Sequence, residues 1–311
     1  MSAEQVALVL AAAITAGTPL LYAALGEIIT ERAGVLNLGV EGMMLVGAVT
    51  GFLVTVVTTN PWLGVLAAAL AGGAMALIHA FLTITLKANQ VVSGLALTIF
   101  GTGLSGFLGK DLIGVVAPRT LTRIEVPLLS DLPWIGPVLF NHDGLIYLSF
   151  FLVPLLWYFF YRTRAGLNLR TVGENPAATD AAGLNVFLLR YAYTILGGAF
   201  AGVAGAYLSL AYAPTWLENM TAGRGWIAVA LVIFAMWDPV RAIIGSYLFG
   251  GIDALGFRLQ AMGAVNISPF FLKMLPYLFT VVVLILVTYR SRQNHLGAPG
   301  ALGLPYDRED R

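Results

Sequence analysis

The chain contains no cysteine, three histidines and few charges, with Asp, Glu, Lys and Arg making up 11% of its 311 residues. Without cysteine there is no disulfide framework, no thiolate nucleophile and no thiolate metal site. Three widely spaced histidines (His79, His142, His295), with no paired-carboxylate motif beside them, leave little for an enzyme to work with. Soluble domains carry roughly 25% charged residues, and a single soluble core cannot absorb an excess of apolar surface. Disordered chains are polar and poor in aromatics, which this chain is not. A net charge of +1 offers no footprint for nucleic acid.

What is present is 59% hydrophobic residues and 35 glycines. The apolar runs are continuous, not alternating, which favours helices over barrel strands. The expected fold class is an all-α, polytopic transmembrane helical bundle of about nine spans with broken helices. The spans fall near 5–26, 35–58, 62–86, 91–109, 144–161, 191–213, 226–240, 241–260 and 269–290. Around Trp237-Asp238-Pro239 the boundary between the spans 226–240 and 241–260 is either a tight turn between two short helices or a kink in one long one. This makes one transmembrane domain, 1–290, with an outer loop 110–143, an inner loop 162–190 and a cytoplasmic tail 291–311. Of 33 charged residues, seven lie in the outer loop, six in the inner loop and seven from Arg290 onward.

No Lys or Arg precedes the first span, and Arg32 follows it at once. With nine spans, eleven Lys and Arg fall on the inner side and six on the outer, which places the N-terminus outside and the C-terminus inside. Gly47-x-x-x-Gly51 and Gly198-x-x-x-Gly202 put small residues on one helix face and favour close helix packing within the chain.

Three segments carry chemistry. In Gly26–Gly42, Glu27, Glu31 and Arg32 suit a helix end met by water, whereas Asn37 and Glu41 lie four apart, on one helix face, between apolar sequences. Gly34, Gly39 and Gly42 favour an unwound helix here. A carboxylate within the membrane either lines a solute pathway or bonds freed backbone amides, and both readings stand. A similar glycine-rich break occurs at 218–225. In the inner loop, Asn175 is an N-cap, Pro176 suits the first helical position and Gly183 the position after the C-cap. The helix between them, with Ala177, Ala178, Ala181 and Asp180, is nearly bare of large side chains. It is too short to be stable alone and either docks in a partner's groove or is a solvated turn. Third, Asn89, Gln90 and Ser93 open an apolar helix and either line a conduit for a neutral, hydroxyl-rich ligand or cap a span end.

Gly26–Gly51, Ala88–Gly109, Arg164–Asn185 and Gly223–Pro239 together resemble the permease subunit of a bacterial ABC importer. The likeness is to the branched-chain amino acid and simple sugar permease superfamily. Within it, the chain is most similar to the shorter permease of nucleoside-type, basic membrane lipoprotein-dependent systems. This resemblance implies a cytoplasmic (inner) membrane protein that moves a neutral small solute, nucleosides before sugars. Cytoplasmic ATP-binding subunits would power it through a coupling helix at Gly173, Glu174, Asn175, Pro176, Ala177, Ala178, Asp180, Ala181 and Gly183. It also implies a second, longer permease as partner and an extracytoplasmic solute-binding protein docking on the outer loop. No P-loop appears, so this chain is expected to bind no cofactor, with ATP and Mg on the partner ATPase. The competing reading is an ion- or proton-coupled secondary transporter acting alone, for which Glu41, Asp253 and His79 are the candidate coupling groups.

Overall fold

The computed structural model describes residues 3–261, 269–291 and 297–309, so His295 and part of the expected tail lie outside the described residues. The helices are α1 (Ala3–Arg32), α2 (Val40–Thr58), α3 (Pro61–Ala80), α4 (Gln90–Gly109), α5 (Ile135–Leu139) and α6 (Gly144–Arg162). They continue with α7 (Arg164–Glu174), α8 (Pro176–Ala181), α9 (Val186–Tyr207), α10 (Arg224–Ala235), α11 (Pro239–Ala261) and α12 (Pro269–Ser291). Wider π turns lengthen α3 to Thr85 and α9 to Tyr212. Two short strands, β1 (Arg123–Glu125) and β2 (Asn141–Asp143), pair antiparallel in the loop between α4 and α6.

Among the described residues six helices are long and apolar enough to cross a membrane: 5–32, 40–58, 61–85, 90–112, 144–162 and 186–212. They coincide with the first six expected spans, and the count of nine was too high. The expected span 226–240 is the 12-residue α10. At 1.5 Å per residue it is about 18 Å long, against a hydrocarbon core of about 30 Å. The chain makes a tight turn after it: Met236 and Trp237 take left-handed φ values of 51° and 56°. Asp238 then caps α11, accepting from Val240 N at 2.9 Å and Arg241 N at 3.1 Å. Helices α11 and α12, 23 residues each, lie outside the six: α11 packs on α1 and α6, and α12 on α10 and α11; α11 carries Arg241, Asp253 and Arg258 along its length.

Helix α2 is the centre of the bundle, enclosed by α3, α4 and α9. The close approach of α2 and α9 needs glycine, since a Cβ on Gly47 would lie 2.4 Å from the Gly202 carbonyl oxygen. The paired small-residue motifs are therefore a seam inside one chain. At one end of the bundle the C-terminus of α1, helices α7 and α8, and residues 297–309 gather. At the other end the loop 110–143 folds over α9, with Leu121 N donating to Leu210 O at 3.1 Å.

Two interruptions position the functional groups. Residues 34–39 form no helix and rise along α4 to the start of α2. Residues 213–223 form no α-helix and lead to the start of α10. Asn37 therefore sits before α2, not on one helical face with Glu41. Glu27 and Glu31 also differ from expectation: both are buried, not met by water. Asn37 N donates to Glu27 Oε1 at 3.0 Å, and the Trp237 indole N–H donates to Glu31. Asn37 is only ten residues from Glu27, but the α10–α11 turn brings Trp237 to Glu31 from some 200 residues away, beyond the reach of any local pattern.

Candidate functional site

The short helix α8 is built by local signals at both ends. Asn175 Oδ1 accepts from Ala178 N at 2.9 Å, and Pro176 follows at the first helical position. At the far end Gly183 has φ +83°, its N–H bonds Asp180 O at 2.9 Å, and Leu184 N bonds Thr179 O at 3.3 Å. That pair of reversed hydrogen bonds is a Schellman motif, which requires the left-handed residue glycine supplies. Thr179 alone is buried, while Ala177, Ala178, Ala181, Ala182, Glu174, Asn175 and Gly183 are exposed. The result is a smooth, methyl-covered ridge facing outward from the bundle.

Sequence reasoning missed what holds this ridge. Helix α7 precedes it where a loop was expected, opened by Thr163, whose Oγ1 accepts from Gly166 N at 3.0 Å. The cap residue and the buried Leu169 and Val172 were the available signal. Residues 297–309 then lie across the same end. Ala301 N donates to Gly173 O at 2.8 Å, Gly303 N to Gly34 O at 3.2 Å, and Gly300 N to Glu174 Oε2 at 3.3 Å. Arg308 forks onto Asp180 (Nε–Oδ2 2.8 Å, Nη2–Oδ1 2.5 Å), and Lys87 pairs with Asp307. The hydrogen bond from the Lys87 ammonium holds the Asp307 carboxyl below its ordinary range. Gly173 is buried where a Cβ would lie 2.2 Å from the Arg32 carbonyl oxygen.

At the centre, Glu41 on the first turn of α2 reaches the N-terminus of α10. Its Oε1 accepts from Thr221 Oγ1 at 2.6 Å and Gly223 N at 2.8 Å, and its Oε2 accepts from Gly225 N at 2.6 Å. A carboxylate here satisfies orphan amides of α10 and complements the positive ends of two helices at once. Asn37 closes a local turn, its Oδ1 accepting from Gly39 N at 3.0 Å.

The polar groups of α4 hold the unwound segment. Gln90 Oε1 accepts from Leu36 N at 2.7 Å. Ser93 Oγ lies 3.0 Å from His79 Nδ1, and His79 Nε2 lies 3.0 Å from Leu36 O. Asn89 is exposed and caps α4, accepting from Val92 N at 3.1 Å. Asn89 and Gln90 also line a cavity of about 330 Å³ closed on one side by Gly303 and Pro305 of the tail, whereas Asn37, Glu41 and Ser93 do not. A second cavity, about 310 Å³, lies between α1, α10, α11 and α12 and contains an ion pair, Arg224 Nη2–Asp253 Oδ2 at 3.1 Å. Sequence reasoning weighed Asp253 only as a coupling carboxylate and passed over Arg224, although an arginine directly after the helix-breaking Gly223 marked the place.

Comparison with known proteins places the chain. The family model for the permease component of branched-chain amino acid transport systems matches residues 9–288. A candidate glucose ABC transporter permease, TsgC13 of Haloferax volcanii, is 46% identical over 96% of this chain and 97% of its own length. The nucleoside ABC transporter permease NupC of Lactococcus lactis is 36% identical, over 93% of each chain. The guanosine ABC transporter permease NupQ of Bacillus subtilis is 31% identical, over 96% of each. The chain belongs to the branched-chain amino acid transport system permease family: it is the polytopic, non-enzymatic permease subunit of an ATP-driven ABC importer, a family whose members work with ATP-hydrolysing subunits and in permease pairs.

Proposed function

We propose that this chain carries a neutral, hydroxyl-rich small solute, a nucleoside or simple sugar, inward by alternating access. In this reading α8 is the element that the ATP-binding subunits push. The observation that carries the reading is the exposed alanine ridge of α8, held by caps at both ends and by the tail on one flank. A six-residue helix would not persist alone in water, so its preservation as a bare ridge suits a groove on another protein. The glucose, nucleoside and guanosine relatives support the solute class. Glu41, Asp253 and His79 all have hydrogen-bonding or ionic partners within the chain, which speaks against proton or ion coupling by this chain alone.

ATP and Mg would sit on the partner ATPase, with no cofactor on this chain. A heterodimer with a longer permease is favoured because the relatives include two permeases each from Bacillus subtilis and Haloferax volcanii. The loop 110–143 would receive the solute-binding protein on the outer face of the cytoplasmic membrane, with the N-terminus outside and the tail inside.

The test is Ala178→Trp in the complex assembled with its partner permease and ATPase. Position 178 is exposed, so the variant folds, but the indole blocks the groove. ATP-dependent uptake should fall to background and the ATPase should dissociate more readily. Unchanged uptake and unchanged ATPase association would remove α8 from the coupling role.

A further inference from the structure

The cavity between α1, α10, α11 and α12 lies deep in the bundle. Leu20, midway along α1, lines it, and Asp253 is about 21 Å along α11 from its Pro239 end. A charged pair at such depth is costly and marks function by default. The N-terminus of α10 does not need this pair, because Glu41 already caps it. Arg224 is further held by the carbonyls of Met220 (3.4 Å) and Thr221 (3.3 Å) and by the Tyr212 ring, 5.5 Å away. The pair is nevertheless left partly open, with side-chain exposures of 16% for Arg224 and 28% for Asp253. Asp253 Oδ1 has no hydrogen-bond partner among the described residues.

We propose that this cavity is a recognition site for a solute bearing a vicinal diol, either the ribose of a ribonucleoside or an aldohexose. The inference rests on the solute class proposed above. Two adjacent hydroxyls can donate to the Asp253 carboxylate and accept from the Arg224 guanidinium, and the pair together is neutral, as such a solute is. The lining also includes the apolar Leu20, Ile227 and Phe249, and Tyr277, whose hydroxyl donates to Ala222 O. Such apolar and aromatic side chains suit the C–H face of a sugar ring or the face of a base. The volume, about 310 Å³, falls at the lower end of small-molecule sites, which begin near 300 Å³.

The experiment uses the whole transporter in proteoliposomes and measures ATP-driven uptake against concentration for uridine, 2′,3′-dideoxyuridine, glucose, 2-deoxyglucose and 3-deoxyglucose. The uridine and glucose arms separate the two sources of the diol. In the wild type, removing the ribose diol of uridine, or breaking the engaged hydroxyl pair of glucose in one of its two deoxy sugars, should raise KM about tenfold or more, the worth of a charge-assisted hydrogen bond. Asp253→Asn should raise KM for the parent solute about tenfold and abolish most of the preference for the diol over its deoxy analogue. If Asp253→Asn does not assemble, Arg224→Lys keeps the charge, loses the fork and reads the same preference. The exchange Arg224→Asp with Asp253→Arg rebuilds an ion pair; it should restore thermal stability without restoring KM. An undiminished diol preference in the single variants, or full recovery of KM in the exchange, makes the pair structural and overturns the site. Carriage of neither uridine nor glucose by a wild-type complex that hydrolyses ATP overturns the solute class and the site together.

Discussion

Glu41 spends both carboxylate oxygens on a helix it does not belong to, and that fact sets its worth. Glu41→Gln keeps one acceptor for Thr221 and Gly223 but turns an amide N–H toward Gly225 N–H, donor against donor. A buried donor left unpaired costs about 1–3 kcal/mol, and the lost charge removes part of the helix-dipole term as well. The thermal midpoint in detergent should therefore fall, while uptake per folded molecule stays near wild type; an unchanged midpoint would show that Glu41 is not the cap of α10. Of the polar residues singled out from the sequence, Gln90 and Asn37 likewise serve backbone partners in the break at 34–39, and Ser93 meets His79, which in turn meets Leu36 O. Their residue types marked a special backbone, but the partners, Leu36 N and His79 among them, are set by packing.

At the scale of elements, α8 was legible in full because its signals are local: Asn175, Pro176 and Gly183 act within one turn of their positions. Helix α7 and the strapped tail were not. A Gly- and Pro-containing segment such as 297–305 carries no periodicity, and its hydrogen bonds run to Gly34 and Gly173, far away in sequence. The tail links α8, through Arg308–Asp180, to the loop before α4, through Asp307–Lys87. Both pairs are largely exposed, so their strength is modest and salt-sensitive. Arg308→Asp should lower the uptake obtained per ATP hydrolysed, since α8 then moves without its strut, and adding Asp180→Arg should restore much of it. The ratio of solute to phosphate released in proteoliposomes measures this, and a ratio indifferent to both changes would reduce the tail to a passenger.

For the whole molecule, the breaks expected at 34–42 and 218–225 meet at mid-bundle. From there α2 runs toward the end covered by the loop 110–143, where Trp62 packs against Gly144, and α10 runs to the opposite end, where Trp237 meets Glu31 and Arg32. Two interrupted helices pointing apart from one carboxylate resemble the paired broken helices of transporters built from inverted halves. Orientation can be read directly because the chain has no cysteine. In intact cells an impermeant maleimide should label Asp131→Cys in the outer loop, and should reach Ala182→Cys beside α8 only after permeabilisation. The reverse pattern would invert the assignment.

The amino-acid sequence alone determined what short-range chemistry determines. Continuous apolar runs require membrane helices, capping residues place α8, and clustered glycines with polar neighbours mark broken backbone. Only the tertiary structure decided which groups those breaks bring together. Glu41 caps α10 from 180 residues away, Arg224 finds Asp253, and α10 proves too short to span. Periodicity and capping act over a few residues, whereas the pairing of buried polar groups depends on which helices pack side by side.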